Sequence, residues 1–297
     1  MKSIYIIMCK GLAIAWMLLL SLCTYGQNLS ETAYIADTTG FISTLPINKE
    51  VLHSTLVGVG WANVLDTYLS PYNYKGTDIR LQRETMRMTK MWGGRVSNQV
   101  FIDVNAAFTE NHARNLKEYA GGIRYTQGWF YNFGKGNVVN PVERSQSRFN
   151  IAVGLAASAY VGGIYIDRNG NNPAQAKADL MIDVSAMATY DMVIARHHYL
   201  WRYQVSAPFI GIAFSPAFGQ SYYEMFELKH RDHNVLFAYP GNMPSMRHRL
   251  TLDVPIRKYT LRVGYVAQIN QSLFNHLKYH SWTHDFVIGF NKYLYRK

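Results

Sequence analysis

The chain has 297 residues, a length that suits one large domain or two small ones. Its formal net charge is +11. Only 16% of the residues are charged, against about 25% in soluble domains, while 14% are aromatic. Beyond the N-terminal segment no stretch approaches the roughly 18 consecutive apolar residues of a membrane-spanning helix, so the sequence excludes one there.

Residues 1–26 are predicted to be a secretory signal peptide. A short basic start precedes an apolar run from Gly11 to Leu22, and Thr24-Tyr25-Gly26 offers small residues at the two positions that a signal peptidase reads. A lipoprotein signal around Cys23 is the alternative, although such sites prefer a residue smaller than Leu22. Cleavage after Gly26 would remove two lysines and both cysteines, which leaves no disulfide or thiolate site.

Residues 27–50 are predicted to form a polar N-terminal lead-in, and residues 51–297 one β-barrel domain. From Val51 onward, apolar residues recur with a period of two, which is typical of strands with two different faces. About eleven such runs occur: 51–60, 78–89, 99–108, 119–131, 149–161, 179–186, 193–205, 208–219, 249–256, 259–270 and 285–291. Because single-chain bacterial barrels have even strand numbers, we expect twelve strands, with ten as the alternative.

The clearest pair of runs is 249–256 with 259–270. A two-residue turn at Arg257-Lys258 would pair Ile256 with Tyr259 and Asp253 with Arg262, and would place the apolar residues of both runs on one face. A slip of one residue would invert both faces, so the pattern predicts this register.

The predicted strands have the two unlike faces of a membrane barrel. Their apolar faces carry aromatic residues near strand ends, as at Trp129-Phe130-Tyr131 and Tyr199–Tyr203, which suits girdles at the two membrane interfaces. We therefore expect an all-β, transmembrane, antiparallel up-and-down barrel in an outer membrane. A soluble periplasmic barrel that binds a ligand is the alternative, because its strands would alternate as well.

The polar faces carry charges of both signs that are expected to point into the lumen. These residues are Asp103, Arg124, Asp179, Asp183, Arg196, Arg202, Asp253, Arg262 and Asp285. They could form an ion-pair network or line a pore, and we favour the network, because side chains fill most of so narrow a barrel. Six of them are candidates for a binding site: Asp103, Arg124, Asp183, Arg202, Asp253 and Arg262.

The longest polar break, 220–245, is rich in aromatic residues and contains His230, Asp232 and His233. A His–Asp pair can activate a serine, so these three residues are candidates for an outer-loop site. The alternative is a folded cap that only closes the barrel mouth. No Gly-x-Ser-x-Gly elbow occurs, so no catalytic residue is predicted and an enzyme is the less favoured class.

Three histidines, at positions 276, 280 and 284, are spaced by four, which would align them on a helix. Because His284 falls in a predicted strand and the other two in a loop, we expect no metal site. No cofactor is expected either. Nucleic acid is not an expected partner, because the chain is exported and contains no basic run.

Several stretches of the chain resemble a known family. They are Ala207-Pro208-Phe209, Phe214–Glu224, Asp232-His233-Asn234, Leu250–Arg257 and Leu261–Tyr265. The chain resembles an uncharacterised family of Bacteroidota outer-membrane proteins, classed only as a domain of unknown function. The resemblance covers most of the chain after the signal peptide and is most specific from about 200 to 290.

The resemblance implies a barrel in the envelope, without a substrate, activity or catalytic residue. The expected partners are outer-membrane lipid and the barrel-assembly machinery, and a small-molecule or ion ligand is compatible with a polar lumen. We therefore expect a non-enzymatic outer-membrane barrel, either a narrow channel or a structural or binding protein of the envelope. A lipid-modifying outer-membrane enzyme is the alternative.

Overall fold

The computed structural model describes residues 50–133, 148–167, 170, 172–194, 197–229, 233–256 and 259–295. The predicted signal peptide and all of the predicted lead-in except Glu50 lie outside these residues. Within the described residues, no helix is long and apolar enough to cross a membrane.

The described residues form eleven strands in one antiparallel sheet. They are β1 (Glu50–Asp66), β2 (Tyr74–Met88), β3 (Val96–Asn111), β4 (Lys117–Asn132), β5 (Arg148–Ile166), β6 (Ala174–Ile194), β7 (His197–Phe214), β8 (Val235–Ala238), β9 (Met246–Ile256), β10 (Tyr259–Phe274) and β11 (Leu277–Tyr295). A 3₁₀ turn at Met91–Gly94 lies between β2 and β3, and the short helix α1 (Tyr222–Phe226) lies between β7 and β8.

Ten of these strands close into a barrel. Consecutive strands pair along the chain, β9 pairs with β7, and the pairing of β1 with β11 closes the ring. Strand β8 stands outside the ring and pairs with Gly211–Phe214 of β7, whereas β9 pairs with Leu200–Ser206. Because β6 occupies the other edge of β7, strands β8 and β9 lie on the same edge.

The expected count of twelve strands is wrong, and the alternative count of ten describes the closed ring. The sequence pattern separates 193–205 from 208–219 near Pro208, but His197–Phe214 is one continuous strand. The register between β6 and β7 shifts so that Phe209 is an extra residue, a β-bulge. Proline cannot donate a hydrogen bond to the ladder of a sheet. A bulge tolerates proline because the ladder is already interrupted there.

The register predicted for the hairpin of β9 and β10 is confirmed. Ile256 lies opposite Tyr259, and Asp253 lies opposite Arg262. At the other end of β10, Asn275 and His276 connect it to β11 with positive φ angles of 50° and 62°. Positive φ at both central residues is the geometry of a type I′ hairpin turn. Because this turn takes only two residues, the rest of the polar stretch 271–281 belongs to β10 and β11.

The two ends of the barrel are distinguished by their connections. The terminal end is where β1 begins and β11 ends, and it also carries the connections 89–95, 133–147, 195–196 and 257–258. The loop end is the opposite one, with the connections 67–73, 112–116, 167–173, 215–245 and 275–276.

The two faces of the barrel wall differ in chemistry. Large exposed apolar residues cover the outside: Val57, Val59, Trp61, Ile79, Ile102, Ile123, Val153, Leu155, Val161, Leu180, Ile182, Val184, Ile212, Phe286, Ile288 and Phe290. Buried charged residues face the lumen: Asp78, Arg80, Glu84, Asp103, Arg124, Asp179, Asp183, Arg202, Asp253, Arg262 and Asp285. This inverts the usual arrangement of a soluble protein, whose buried residues are mainly apolar.

Apolar clusters lie in the lumen on both sides of the charges. Toward the terminal end, the cluster consists of Leu52, Met86, Met88, Phe130, Ala152 and Met187. Toward the loop end, it consists of Ala62, Val64, Leu69, Tyr74, Ala107, Ile164 and Ile166. Phe130, which the sequence pattern assigns to an outer aromatic girdle, is fully buried in the first cluster, because Trp129 and Tyr131 take the outward positions of β4.

Candidate functional site in the lumen

Arg80 of β2 is the centre of one group of lumen charges. Its buried guanidinium donates to three carboxylates, with Nε 2.8 Å from Asp285 Oδ2, Nη1 2.6 Å from Asp103 Oδ2 and Nη2 3.0 Å from Asp78 Oδ2. Nη2 also donates to the hydroxyl of Thr283 at 2.8 Å. All the guanidinium nitrogens are thereby hydrogen-bonded, which is how a buried charge is tolerated.

Glu84 of β2 is the centre of a second group. Its carboxylate accepts from Arg202 Nη1 at 3.1 Å on each oxygen, from Arg262 Nη1 at 2.6 Å and from Gln99 Nε2 at 2.5 Å. Arg262 also donates to both oxygens of Asp253, at 2.5 and 2.7 Å. Paired bonds of this charged kind are among the strongest hydrogen bonds in proteins.

Some of these contacts cross the full width of the barrel. In a ring of ten strands, β2 and β7 lie on opposite walls, and so do β3 and β9. The Glu84–Arg202 pair joins β2 to β7. The guanidinium of Arg249 in β9 lies 3.8 Å from the ring centroid of Phe101 in β3. The lumen is therefore bridged by side chains at this level.

The other lumen cations lie closer to the loop end. Arg124 in β4 makes a two-fold pair with Asp179 in β6, at 2.9 and 3.1 Å. Lys177 Nζ lies 2.8 Å from Asp66 Oδ2, near the end of β1 on the opposite wall. A third pair joins Arg247 of β9 to Asp183 of β6.

The structure places all six lumen candidates in this network but does not bring them into one site. Arg202, Arg262 and Asp253 meet around Glu84. Each of the other three has its own partner: Asp103 has Arg80, Arg124 has Asp179, and Asp183 has Arg247.

Sequence reasoning missed Arg80 and Glu84, the two residues that organise the network. Both lie in the weakly alternating run 78–89, where arginines occur on both faces. In β2 the even positions face the lumen, so Asp78, Arg80, Gln82 and Glu84 share one face. The signal that could have found them is this row of four polar residues at a spacing of two.

Small cavities lie between the lumen side chains, with volumes of about 50, 40 and 20 Å³. The largest is lined by Asp183, Arg247 and Arg249, among others, and Arg124 lines all three. Roughly 10–15 Å³ of such volume holds one water molecule, whereas pockets for small molecules measure about 300–1,000 Å³. These cavities suit ordered water rather than a substrate.

The described parts of 215–245, here called the cap, are tied to three other parts of the loop end. The hydroxyl of Tyr68 donates to the Gln220 carbonyl at 2.9 Å, and the hydroxyl of Tyr222 accepts from the Ala176 N–H at 2.6 Å. Asn275 Nδ2 contacts the cap carbonyls of residues 215, 216 and 233 at 3.4, 3.2 and 3.0 Å. Burial raises the pKa of Tyr68 to about 12.

Two of the outer-loop candidates, His230 and Asp232, lie outside the described residues. His233 is exposed, with φ at 62°, and its carbonyl accepts from Asn275. The serines nearest in sequence make hydrogen bonds with the backbone: Ser221 caps α1, and Ser245 bonds to both backbone groups of Gln271. Among the described residues, neither serine is hydrogen-bonded to a histidine.

The three spaced histidines do not converge. His284 Nδ1 lies 2.7 Å from the Tyr265 hydroxyl, and His280 stacks on Trp282 with ring centroids 4.5 Å apart. His276 lies in the turn between β10 and β11. No group of three or more histidine, cysteine, aspartate or glutamate side chains that could hold a metal occurs in the part of the chain that the structure describes.

Residues 15–297 match the model of a family described as "Protein of unknown function (DUF3316)". No curated protein matches the chain. The fold is similar to the transport unit of the autotransporter AIDA-I from Escherichia coli, at 8% identity and a TM-score of 0.42, over 90% of this chain and 96% of that one.

Two further solved structures are similar. The outer membrane protease OmpT from Escherichia coli is 6% identical, with a TM-score of 0.44 over 86% of this chain and 99% of that one. The COG4313 outer membrane channel from Pseudomonas putida F1 is 9% identical, with a TM-score of 0.34 over 87% and 100%.

Proposed function

The chain belongs to the DUF3316 family of proteins of unknown function, and we propose that it is an outer-membrane β-barrel with a closed lumen, a structural protein of the envelope rather than an open channel. The observation that supports this proposal is the placement of polar side chains inside the barrel and apolar ones outside, the reverse of a soluble protein. Ion pairs bridge its interior, while large apolar side chains cover its outer wall.

The outer wall supports a membrane location. Val59, Val161 and Phe290 are 58%, 68% and 61% exposed, and they belong to an apolar surface that extends over many strands. A soluble protein rarely exposes so large an apolar surface, because each Å² left in water costs about 25 cal/mol. Lipid removes that cost, and a closed barrel leaves no unpaired strand edge in the hydrocarbon.

The connections support an orientation. In bacterial barrels the periplasmic turns are short and the outer loops longer. The longest connection, 215–245, joins strands at the loop end, and two two-residue connections, 195–196 and 257–258, join strands at the terminal end. The connections 133–147 at the terminal end and 275–276 at the loop end depart from this pattern. The proposal therefore has the terminal end in the periplasm and the cap on the outer surface. It includes export by the predicted signal peptide and, from the resemblance, an origin in Bacteroidota.

The lumen contacts favour a structural role over a channel. An open pore at the level of Glu84 requires separating its carboxylate from Arg202 and Arg262. These charge-assisted hydrogen bonds, 2.6–3.1 Å long, are stronger than bonds between neutral groups and hold the side chains together across the lumen. The apolar cluster at the terminal end lies in the same path.

The test is folding followed by conductance. The chain without residues 1–26 is folded into detergent and lipid, and its mobility in unboiled gels and its circular dichroism are recorded. We expect a heat-modifiable, sheet-rich species that gives no conductance steps in a planar bilayer. Regular steps from the folded protein would contradict the closed lumen. Folding without detergent would contradict the membrane location.

A further inference from the structure

A group of basic residues lies on the outer wall near the terminal end, apart from the lumen network. It consists of His53 in β1, Arg83 and Arg87 in β2, and Lys292 in β11, and is here called the basic patch. Lys292 and both arginines are exposed, and His53 is half-buried. None of these residues belongs to the six lumen candidates or to the outer-loop candidates.

The strand register brings the four residues together. His53 lies opposite Lys292 of β11 on one side and opposite Thr85 of β2 on the other. Arg83 and Arg87 lie two residues to either side of Thr85, on the same outward face of β2. Adjacent strands are about 4.8 Å apart, and two residues along a strand span about 6.7 Å. The four basic side chains therefore surround an area that one phosphate group can contact.

The centre of the basic patch is fixed by a hydrogen bond. Thr85 Oγ1 and His53 Nδ1 are 3.0 Å apart. When the hydroxyl donates to Nδ1, the hydrogen of the imidazole is on Nε2, which is then available to a ligand.

The positive charge of the patch is not compensated within the described residues. None of the ion pairs that these residues form includes Arg83, Arg87 or Lys292. At the loop end, the exposed Arg114 is paired with Glu110 at 3.3 Å. The unpaired cations of the patch favour an anionic ligand from outside the chain.

The surroundings of the patch place it at the edge of the apolar wall. Toward the middle of the barrel, Val57 and Phe290 are the exposed outward residues of β1 and β11. Toward the terminal end, Lys90 and Arg95 are exposed in the connection between β2 and β3, and Trp92 is 70% exposed. Tryptophan and basic residues beside an apolar band are typical of the head-group level of a membrane.

We propose that the basic patch binds the phosphate of an anionic glycerophospholipid in the leaflet that surrounds the terminal end. This inference rests on the membrane location proposed above. The guanidinium groups of Arg83 and Arg87 can each donate two hydrogen bonds to phosphate oxygens. Lys292 and the His53 Nε2 hydrogen complete the set of donors, and the acyl chains lie along the apolar wall above them.

The test compares lipid retention between variants. The protein is folded into vesicles of equal phosphatidylcholine and phosphatidylglycerol, extracted gently in detergent, and analysed by native mass spectrometry. We expect phosphatidylglycerol to be retained in preference to phosphatidylcholine by the unmodified protein. The double variant R83Q/R87Q should lose this preference several-fold, and K292Q should weaken it. The matched control K75Q/K117Q, with exposed lysines of the loop end, should keep it.

Each outcome has a distinct meaning. If the protein does not enter vesicles, the proposed function fails. If it enters them as a heat-modifiable species but retains both lipids equally, only the lipid site is contradicted. Equal loss in the loop-end control would also contradict the site. Displacement of the lipid by millimolar inorganic phosphate would assign the patch to a free anion instead. If R83Q/R87Q does not fold, K292Q decides the question alone.

Discussion

At the scale of single residues, Glu84 shows why the lumen charges depend on one another. It is buried and provides the carboxylate that faces both Arg202 and Arg262. A buried ion pair contributes little net stability compared with apolar residues, but removing one partner leaves the other uncompensated. Here one substitution would leave two guanidinium groups with reduced compensation, and only Arg262 retains another carboxylate, Asp253.

We expect Glu84→Gln to lower the free energy of unfolding by about 3–5 kcal/mol, because buried positive charge loses its partner. The measurement is urea unfolding of the barrel from lipid vesicles, followed by tryptophan fluorescence. The control is Glu110→Gln, which breaks the exposed pair with Arg114 and should cost less than about 1 kcal/mol. Equal small effects of both changes would show that the lumen charges are hydrated.

At the scale of structural elements, the turn between β10 and β11 links the barrel wall to the cap. Asn275 has a positive φ that the type I′ turn requires, and its side chain also contacts three carbonyls of the cap. Glycine adopts the positive φ readily, but it has no side chain to contact the carbonyls of the cap. This residue therefore allows the stability of the hairpin to be separated from the attachment of the cap.

We expect Asn275→Gly to leave the barrel folded but to make the cap several-fold more sensitive to trypsin, which can cleave at Lys229. The reason is the loss of the Asn275 side-chain hydrogen bonds, with the backbone of the turn preserved. The measurement is limited proteolysis of the folded protein in detergent. His276→Gly, at the other residue of the turn, should change the cleavage rate little. A similar increase in both variants would assign the effect to the turn backbone instead.

At the scale of the whole molecule, the outward apolar surface determines whether the barrel is more stable in lipid or in water. Val184 lies outward in the middle of β6 and is 47% exposed. Val235 is also exposed but belongs to β8, outside the ring and near the loop end. In lipid, the cost of an arginine depends on its depth, and it is greatest at the middle of the bilayer.

We expect Val184→Arg to make folding into vesicles less favourable by about 2–4 kcal/mol, and Val235→Arg by about 0–1 kcal/mol. Denaturant titrations of folding into vesicles provide the comparison. In a soluble barrel both substitutions would add a charge to a hydrated surface, and neither would be costly. Equal values for the two variants would therefore contradict the membrane location.

The sequence by itself determined most of the strands, the two faces of those that alternate clearly, and the register of the hairpin of β9 and β10. Side chains alternate in direction at every residue of a strand, so a period of two assigns each residue to the inside or the outside. A two-residue connection leaves little freedom of register, which is why the pairing of Asp253 with Arg262 could be predicted.

Only the tertiary structure decided the strand count and the partners across the lumen. Pro208 interrupts the local pattern, but pairing with β6 continues β7 past it through a bulge. Alternation predicts that Arg202 faces inward, but not that it meets Glu84, because 118 residues separate them. They become neighbours because closure of ten strands places β2 opposite β7, and closure is a property of the whole ring.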